Sequence, residues 1–175
     1  MRLFIAVKVS EEVHEELVRI QKEIGQNGLK LPKDFHITLK FLGDIADDQV
    51  EQLKEKLVQA EFESFKLTLD GLDVFHPKRI RVVHIGIKPP EQITELNEKI
   101  HSMTKEISID HPFRAHITIA RVKFLEDQKE FLEKVGKIDV KSIWFDINTF
   151  YLFKSTLTEK GPIYEELAEF SAKPL

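Results

Sequence analysis

Residues 36–39 read His-Ile-Thr-Leu, and residues 116–119 read His-Ile-Thr-Ile. Along an extended strand alternate side chains point to opposite faces. His36, Thr38 and Lys40 therefore share one face, while Ile37, Leu39 and Phe41 share the other. His116, Thr118 and Ala120 stand opposite Ile117 and Ile119 in the same way. The apolar face belongs to a core, so the fold must build two half-buried strands of one kind. Each turns an imidazole and a hydroxyl away from its own packing.

The surroundings of the two strands repeat as well. RLFIAVK at 2–8 reads as a strand, and Ser10, Glu11 and Glu12 open a helix after it. Val13, Leu17, Ile20 and Ile24 give that helix its apolar stripe, and the spacing predicts that it runs to about Gln26. A second helix is predicted over 48–60, with Val50, Leu53, Leu57 and Ala60 inward. Residues 64–75 read as a strand with a bulge near Gly71. RVVHIGI at 81–87 is another strand, and a proline-opened helix follows, with Ile93, Leu96, Ile100 and Met103 as its stripe. HITIARV is again strand-like, a charged helix lies near 126–136, and SIWFDINTFYLFKS with GPIYEELAEF reads as two strands around a turn. Strand, helix, strand, helix, strand thus occurs in both halves, which predicts an α+β fold of two similar lobes with a shared core.

Composition narrows the chemistry. No cysteine is present, which removes disulfides, thiolate metal sites and a cysteine nucleophile, and fits a cytoplasmic setting. The apolar run Leu3 to Val7 is too short for a membrane span. A net charge of −4 argues against broad binding to nucleic-acid backbone but leaves room for a local basic pocket.

Two such strands, each near the middle of a sheet and related by an approximate two-fold, would bring two imidazoles and two hydroxyls into one groove, an arrangement suited to a phosphate. Neutral imidazole takes a proton from water, imidazolium gives one to a leaving oxygen, and an ordinary pKa near ~6.5 keeps both forms accessible. Hydroxyls donate to non-bridging phosphoryl oxygens. The bland alternative is a pair of buried structural histidines. A metal site is disfavoured, because neither histidine has the neighbouring ligands of a zinc or iron motif. No G-x-S-x-G elbow supports a serine triad, and PKR at 77–79 is too short to be a phosphate loop. His14 and His101 read as helix-surface residues, His76 and His111 as turn residues.

RLFIAV, FHITLKFLGD, FHPKRIRVVHIGI, PFRAHITIARV and LFKSTLTEKGPIYEEL occur in that order along the chain. Together they resemble the two-histidine phosphoesterases, and within them the bacterial and archaeal RNA 2′,3′-cyclic phosphodiesterases, also called 2′-5′ RNA ligases or LigT-like proteins. The resemblance covers most of the chain. It implies a bilobal pseudo-two-fold fold over residues 1–175, two antiparallel-rich sheets forming a central groove, helices on the outer faces, and no metal or other cofactor.

The resemblance also implies roles. His36 would be the proton donor and His116 the acceptor, whereas the residues alone demand an acid and a base without saying which is which. Thr38 and Thr118 would hold phosphoryl oxygens; they also read as ordinary β-formers. Arg121 stands where the family tends to carry arginine, although strict alternation puts it opposite His116, so a bulge, a strand end or a long side chain is needed. Arg114 and Lys40 are further cationic candidates for the substrate, and each also reads as solvated surface charge. His84 replaces a common tryptophan and would stack more weakly on a base. Phenylalanine and lysine in LFKS stand where tyrosine and arginine are common, and Tyr164 reads as packing.

The expected activity is metal-independent opening of a 2′,3′-cyclic phosphate at an RNA end, a tRNA fragment among the candidates, to a 2′-phosphate. Run backwards, the same groove would form a 2′-5′ linkage. The alternatives are a phosphodiesterase of small cyclic nucleotides and a non-catalytic RNA- or nucleotide-binding module. A cytoplasmic monomer without membrane contact is expected.

Overall fold

The computed structural model describes residues 1–107 and 111–174. Its elements, in chain order, are β1 (Arg2–Lys8), α1 (Glu11–Ile24), β2 (Leu29–Lys30), β3 (His36–Asp44), α2 (Val50–Leu57), β4 (Phe65–Phe75), β5 (Val82–Lys88), α3 (Glu91–Thr104), β6 (His116–Val122), α4 (Gln128–Gly136), β7 (Trp144–Ile147), β8 (Thr149–Thr158) and β9 (Gly161–Ser171). Two antiparallel sheets form, one in the order β3-β1-β8-β9 and one in the order β2-β6-β5-β4-β7. The run β3-β1-β8 of the first corresponds to β6-β5-β4 of the second, which is the expected pseudo-two-fold.

Local sequence explains most boundaries. The Ser10 side chain accepts from the Val13 N–H, and Glu11 and Glu12 sit in the positive first turn of α1. The helix stops at Ile24 rather than Gln26 because Gly25 takes φ 87°, a left-handed value that ends the spiral. The predicted second helix is shorter than expected: a 3₁₀ turn at Asp47–Gln49 precedes α2, which ends at Leu57. In β4 the register slips between Leu69 and Leu72, and Gly71 at φ 114° supplies the expected bulge.

Two features differ from the sequence expectation. The two-residue β2 was not predicted. SIWFDINTFYLFKS is two strands in different sheets: β7 pairs with β4, and β8 pairs with β1 and β9, the chain crossing over at Asn148. Phe145 and Ile147 face inward in one sheet, Phe150 and Leu152 in the other, and apolar alternation alone cannot register such a change of partner.

The helices tie the halves together. Buried Leu17 and Ile20 belong to α1, which packs against β6 of the other sheet; Ile93, Leu96 and Ile100 belong to α3, which packs against β3. Among the described residues no helix is long and apolar enough to cross a membrane.

Candidate active site

The two motif strands pack against each other. They do so from near the sheet margins, β3 at an edge and β6 flanked only by the short β2, rather than from mid-sheet. A groove of about 650 Å³ runs between the sheets, and His36, Thr38, His116 and Thr118 all line it. That is the size of an ordinary small-ligand site.

Both motif strands carry a bulge at the same place. Opposite β1, Ala6 pairs with Thr38 and Ile5 with Lys40, so Leu39 is skipped. Opposite β5, His84 pairs with Thr118 and Val83 with Ala120, so Ile119 is skipped. The extra residue reverses the alternation beyond it. Arg121 is thereby brought onto the His116 face and lines the groove, and Phe41, the corresponding residue of β3, lines it from the other side, 60% exposed.

The same bulge corrects the expectation for Lys40. Instead of sharing the His36 face it turns away: it is buried, and its Nζ lies 2.7 Å from Nδ1 of His101 on α3, beside a second, smaller cavity. His101 is accordingly half-buried rather than a solvated helix residue. His84 also departs from expectation. Only 1% exposed, it stacks under Phe75 at 3.8 Å between ring centroids and does not line the groove, so no base can reach its face. Neither of its ring nitrogens has a hydrogen-bond partner. Arg114 does not line the groove either; its guanidinium lies over Phe75, 5.6 Å from the ring centroid. Its direct contact with the site is made by the backbone carbonyl.

His116 Nδ1 is 2.8 Å from the Arg114 carbonyl oxygen. A carbonyl only accepts, so Nδ1 carries the proton and the neutral ring has a bare Nε2. Phe75 meets this imidazole edge-on at 4.9 Å, and His84 at 5.6 Å. Burial is the main cause that lowers its pKa below the ordinary value; the backbone bond opposes, and the Arg114 and Arg121 charges add to the lowering.

His36 sits in an aromatic nest. Phe4 lies 5.1 Å away, and Tyr164 stands perpendicular at 5.4 Å. Burial pushes this imidazole down to about 4, with Arg121 and His116 pushing the same way and the Asp34 carboxylate pulling it back up. Among the described residues, Asp34 is the one acidic side chain along the groove, against Arg2, Lys30 and Arg121. A chain of net charge −4 therefore lines its groove with positive charge. Arg2, Lys30, Asp34, Phe41 and Tyr164 were not singled out as site residues by the sequence. Phe41 was legible only through the bulge, and the others come from segments whose approach is set by sheet packing.

Among the described residues no three histidine, aspartate or glutamate side chains gather as a metal site would need.

The sequence matches the family of LigT-like phosphoesterases twice, over residues 7–84 and 85–164. It is 36% identical to an RNA 2′,3′-cyclic phosphodiesterase of Archaeoglobus fulgidus over 97% of this chain and 99% of that one. With an enzyme of the same name from Methanocaldococcus jannaschii it shares 34%, over 97% and 100%. Among solved structures, TT0787 of Thermus thermophilus superposes with a TM-score of 0.82 at 28% identity, covering 98% and 97% of the two chains. E. coli LigT complexed with 3′-AMP shares the fold, with a TM-score of 0.79 at 21% identity over 99% and 98%. Each matched half contributes one His-x-Thr strand to the groove, and on that double correspondence the chain belongs to the LigT-like phosphoesterase family.

Proposed function

We propose that this chain hydrolyses 2′,3′-cyclic phosphate ends of RNA to 2′-phosphates, residues 1–175 acting as one two-lobed unit. The observation that carries the reading is the convergence of His36, Thr38, His116, Thr118 and Arg121 on one groove. Its relatives' shared name as RNA 2′,3′-cyclic phosphodiesterases supports the substrate.

The asymmetry of the two imidazoles supports the division of labour. Bare Nε2 of His116 takes a proton from water as the water oxygen attacks phosphorus. The bond from phosphorus to O3′ breaks, and imidazolium His36, favoured by Asp34, delivers its proton to the departing O3′. The 2′ ester remains. Thr38 and Thr118 hydroxyls donate to the non-bridging oxygens, and Arg121 offsets the charge there. With a 5′-hydroxyl in place of water as the nucleophile, the same steps form a 2′-5′ linkage.

Phe41 offers an exposed aromatic face at the groove wall for the terminal base, since stacking needs no particular base identity. The test is 31P NMR of a short RNA ending in a 2′,3′-cyclic phosphate, incubated with purified protein and excess EDTA beside His36→Ala and His116→Ala. Conversion to the 2′-phosphate by wild type alone supports the reading. Conversion of 2′,3′-cyclic mononucleotides but not of the RNA would favour a small-nucleotide enzyme. Binding of the RNA without turnover, unchanged in both variants, would favour a binding module.

A further inference from the structure

The bulges at Leu39 and Ile119 decide which residue five places after each motif histidine reaches the groove. A bulge interrupts ladder pairing, and its backbone groups need partners from elsewhere. Both bulges find one of the same kind. The Gln21 side chain on α1 donates from Nε2 to the Ile119 carbonyl oxygen at 3.0 Å, and the Asn97 side chain on α3 donates from Nδ2 to the Leu39 carbonyl oxygen at 2.7 Å.

The arrangement is reciprocal across the pseudo-two-fold. α1 belongs to the half that carries β3 yet holds the bulge of β6, and α3 belongs to the half that carries β6 yet holds the bulge of β3. Gln21 does more. Its Nε2 also donates to the Pro32 carbonyl oxygen at 2.9 Å, so both amide hydrogens are used, and the segment leading into His36 is tied to the strand that carries His116. Pro32 itself lines the groove. Gln21 is only 8% exposed, one of two polar side chains, with Glu16, among the buried residues of α1.

We propose that Gln21 and Asn97 are positioning residues, each carboxamide holding the opposite lobe's bulge so that Arg121 and Phe41 face the substrate. Gln21 acts through Arg121, and Asn97 acts through Phe41. The proposal rests on the phosphate role of Arg121 given above, and the experiment separates the two.

The experiment is a double-mutant cycle on the 2′,3′-cyclic RNA: wild type, Gln21→Met, Arg121→Ala and the double variant, with kcat and KM for each. Methionine keeps the length and apolar body while removing both donors. Gln21→Met is expected to lower kcat/KM about 10- to 100-fold, the scale of a misplaced charge, and to cost less than about twofold once Arg121 is gone. Equal losses in both backgrounds would overturn the proposal, as would full activity of Gln21→Met. Should Gln21→Met not fold, the Asn97→Leu and Phe41→Ala cycle asks the same question on the half-buried α3 side, with non-additive effects on KM expected and additive effects overturning it. If Arg121→Ala keeps wild-type kcat/KM, the phosphate role of Arg121 fails by itself. Amide hydrogen exchange at Ala120 and Arg121 then decides the clamp: faster exchange in Gln21→Met supports it, and unchanged protection overturns it.

Discussion

His116 donates from Nδ1 to the carbonyl oxygen of Arg114 at 2.8 Å, and this contact leaves Nε2 as the only basic atom the ring can offer the groove. His36 has the Asp34 carboxylate acting on it instead. One histidine thereby has a bare nitrogen for taking a proton, and the other has a carboxylate that partly opposes the lowering of its pKa by burial. Replacing either by alanine is expected to lower kcat by about 10²- to 10⁴-fold, the usual range for general acid or base catalysis. The double replacement should be little worse than the poorer single one, since the two act on one step. Single-turnover assays on the cyclic RNA check this.

The pH dependence follows from burial. Both imidazoles lie below the ordinary value, His36 at about 4, so near neutral pH the empty groove holds both neutral. The acid form of His36 in free enzyme declines as pH rises through its depressed value, and kcat/KM should fall on its alkaline side at a pH below ~6.5. A bound cyclic phosphate carries negative charge and favours imidazolium, so the alkaline limb of kcat should lie at higher pH than that of kcat/KM. Coincident limbs would contradict this account.

Stability should respond to acid with a definite sign. His36, His84 and His116 all have folded-state values below the ordinary one. Between those values and about 6.5 the unfolded chain binds more protons, so stability is complete above that range and is lost as pH falls through it. His84 has no hydrogen-bond partner at either nitrogen, and His84→Phe keeps a ring against Phe75. The variant is expected to melt higher than wild type, by a margin that widens from pH 8 to pH 5. A raised KM in His84→Phe with no gain in melting temperature would instead mean that His84 meets the substrate.

Lys40 and Arg121 are opposite outcomes of the same bulge geometry. Lys40→Met should leave kcat/KM within about twofold, because its ammonium faces His101 and not the groove. Arg121→Ala should lower kcat/KM by about 10- to 100-fold through loss of phosphate charge compensation. Steady-state kinetics on one RNA substrate compare them directly.

Phe41→Ala should raise KM with little change in kcat, by about 10-fold or more if one base stacks on it. Testing the cyclic RNA with each of the four terminal bases distinguishes stacking from packing: a base-independent rise is expected.

The two His-x-Thr strands, the helix stripes and the strand-helix repeat were legible in the sequence because each depends on residues a few positions apart, where side-chain direction follows from backbone periodicity. From these came the two lobes and the facing imidazoles. The directions of Lys40 and Arg121 were not legible, because the skipped residues Leu39 and Ile119 exist only relative to the neighbouring strands. His84 could be placed on the same face as the groove but not under Phe75, which arrives from β4. Likewise the crossing at Asn148, the approach of Arg2, Lys30 and Asp34 to the groove, and the hold of Gln21 and Asn97 on the opposite lobe are settled by which surfaces pack together. Local pattern determined what each strand can offer the substrate; long-range pairing, which carries no local periodic signal, decided which of those groups reach it.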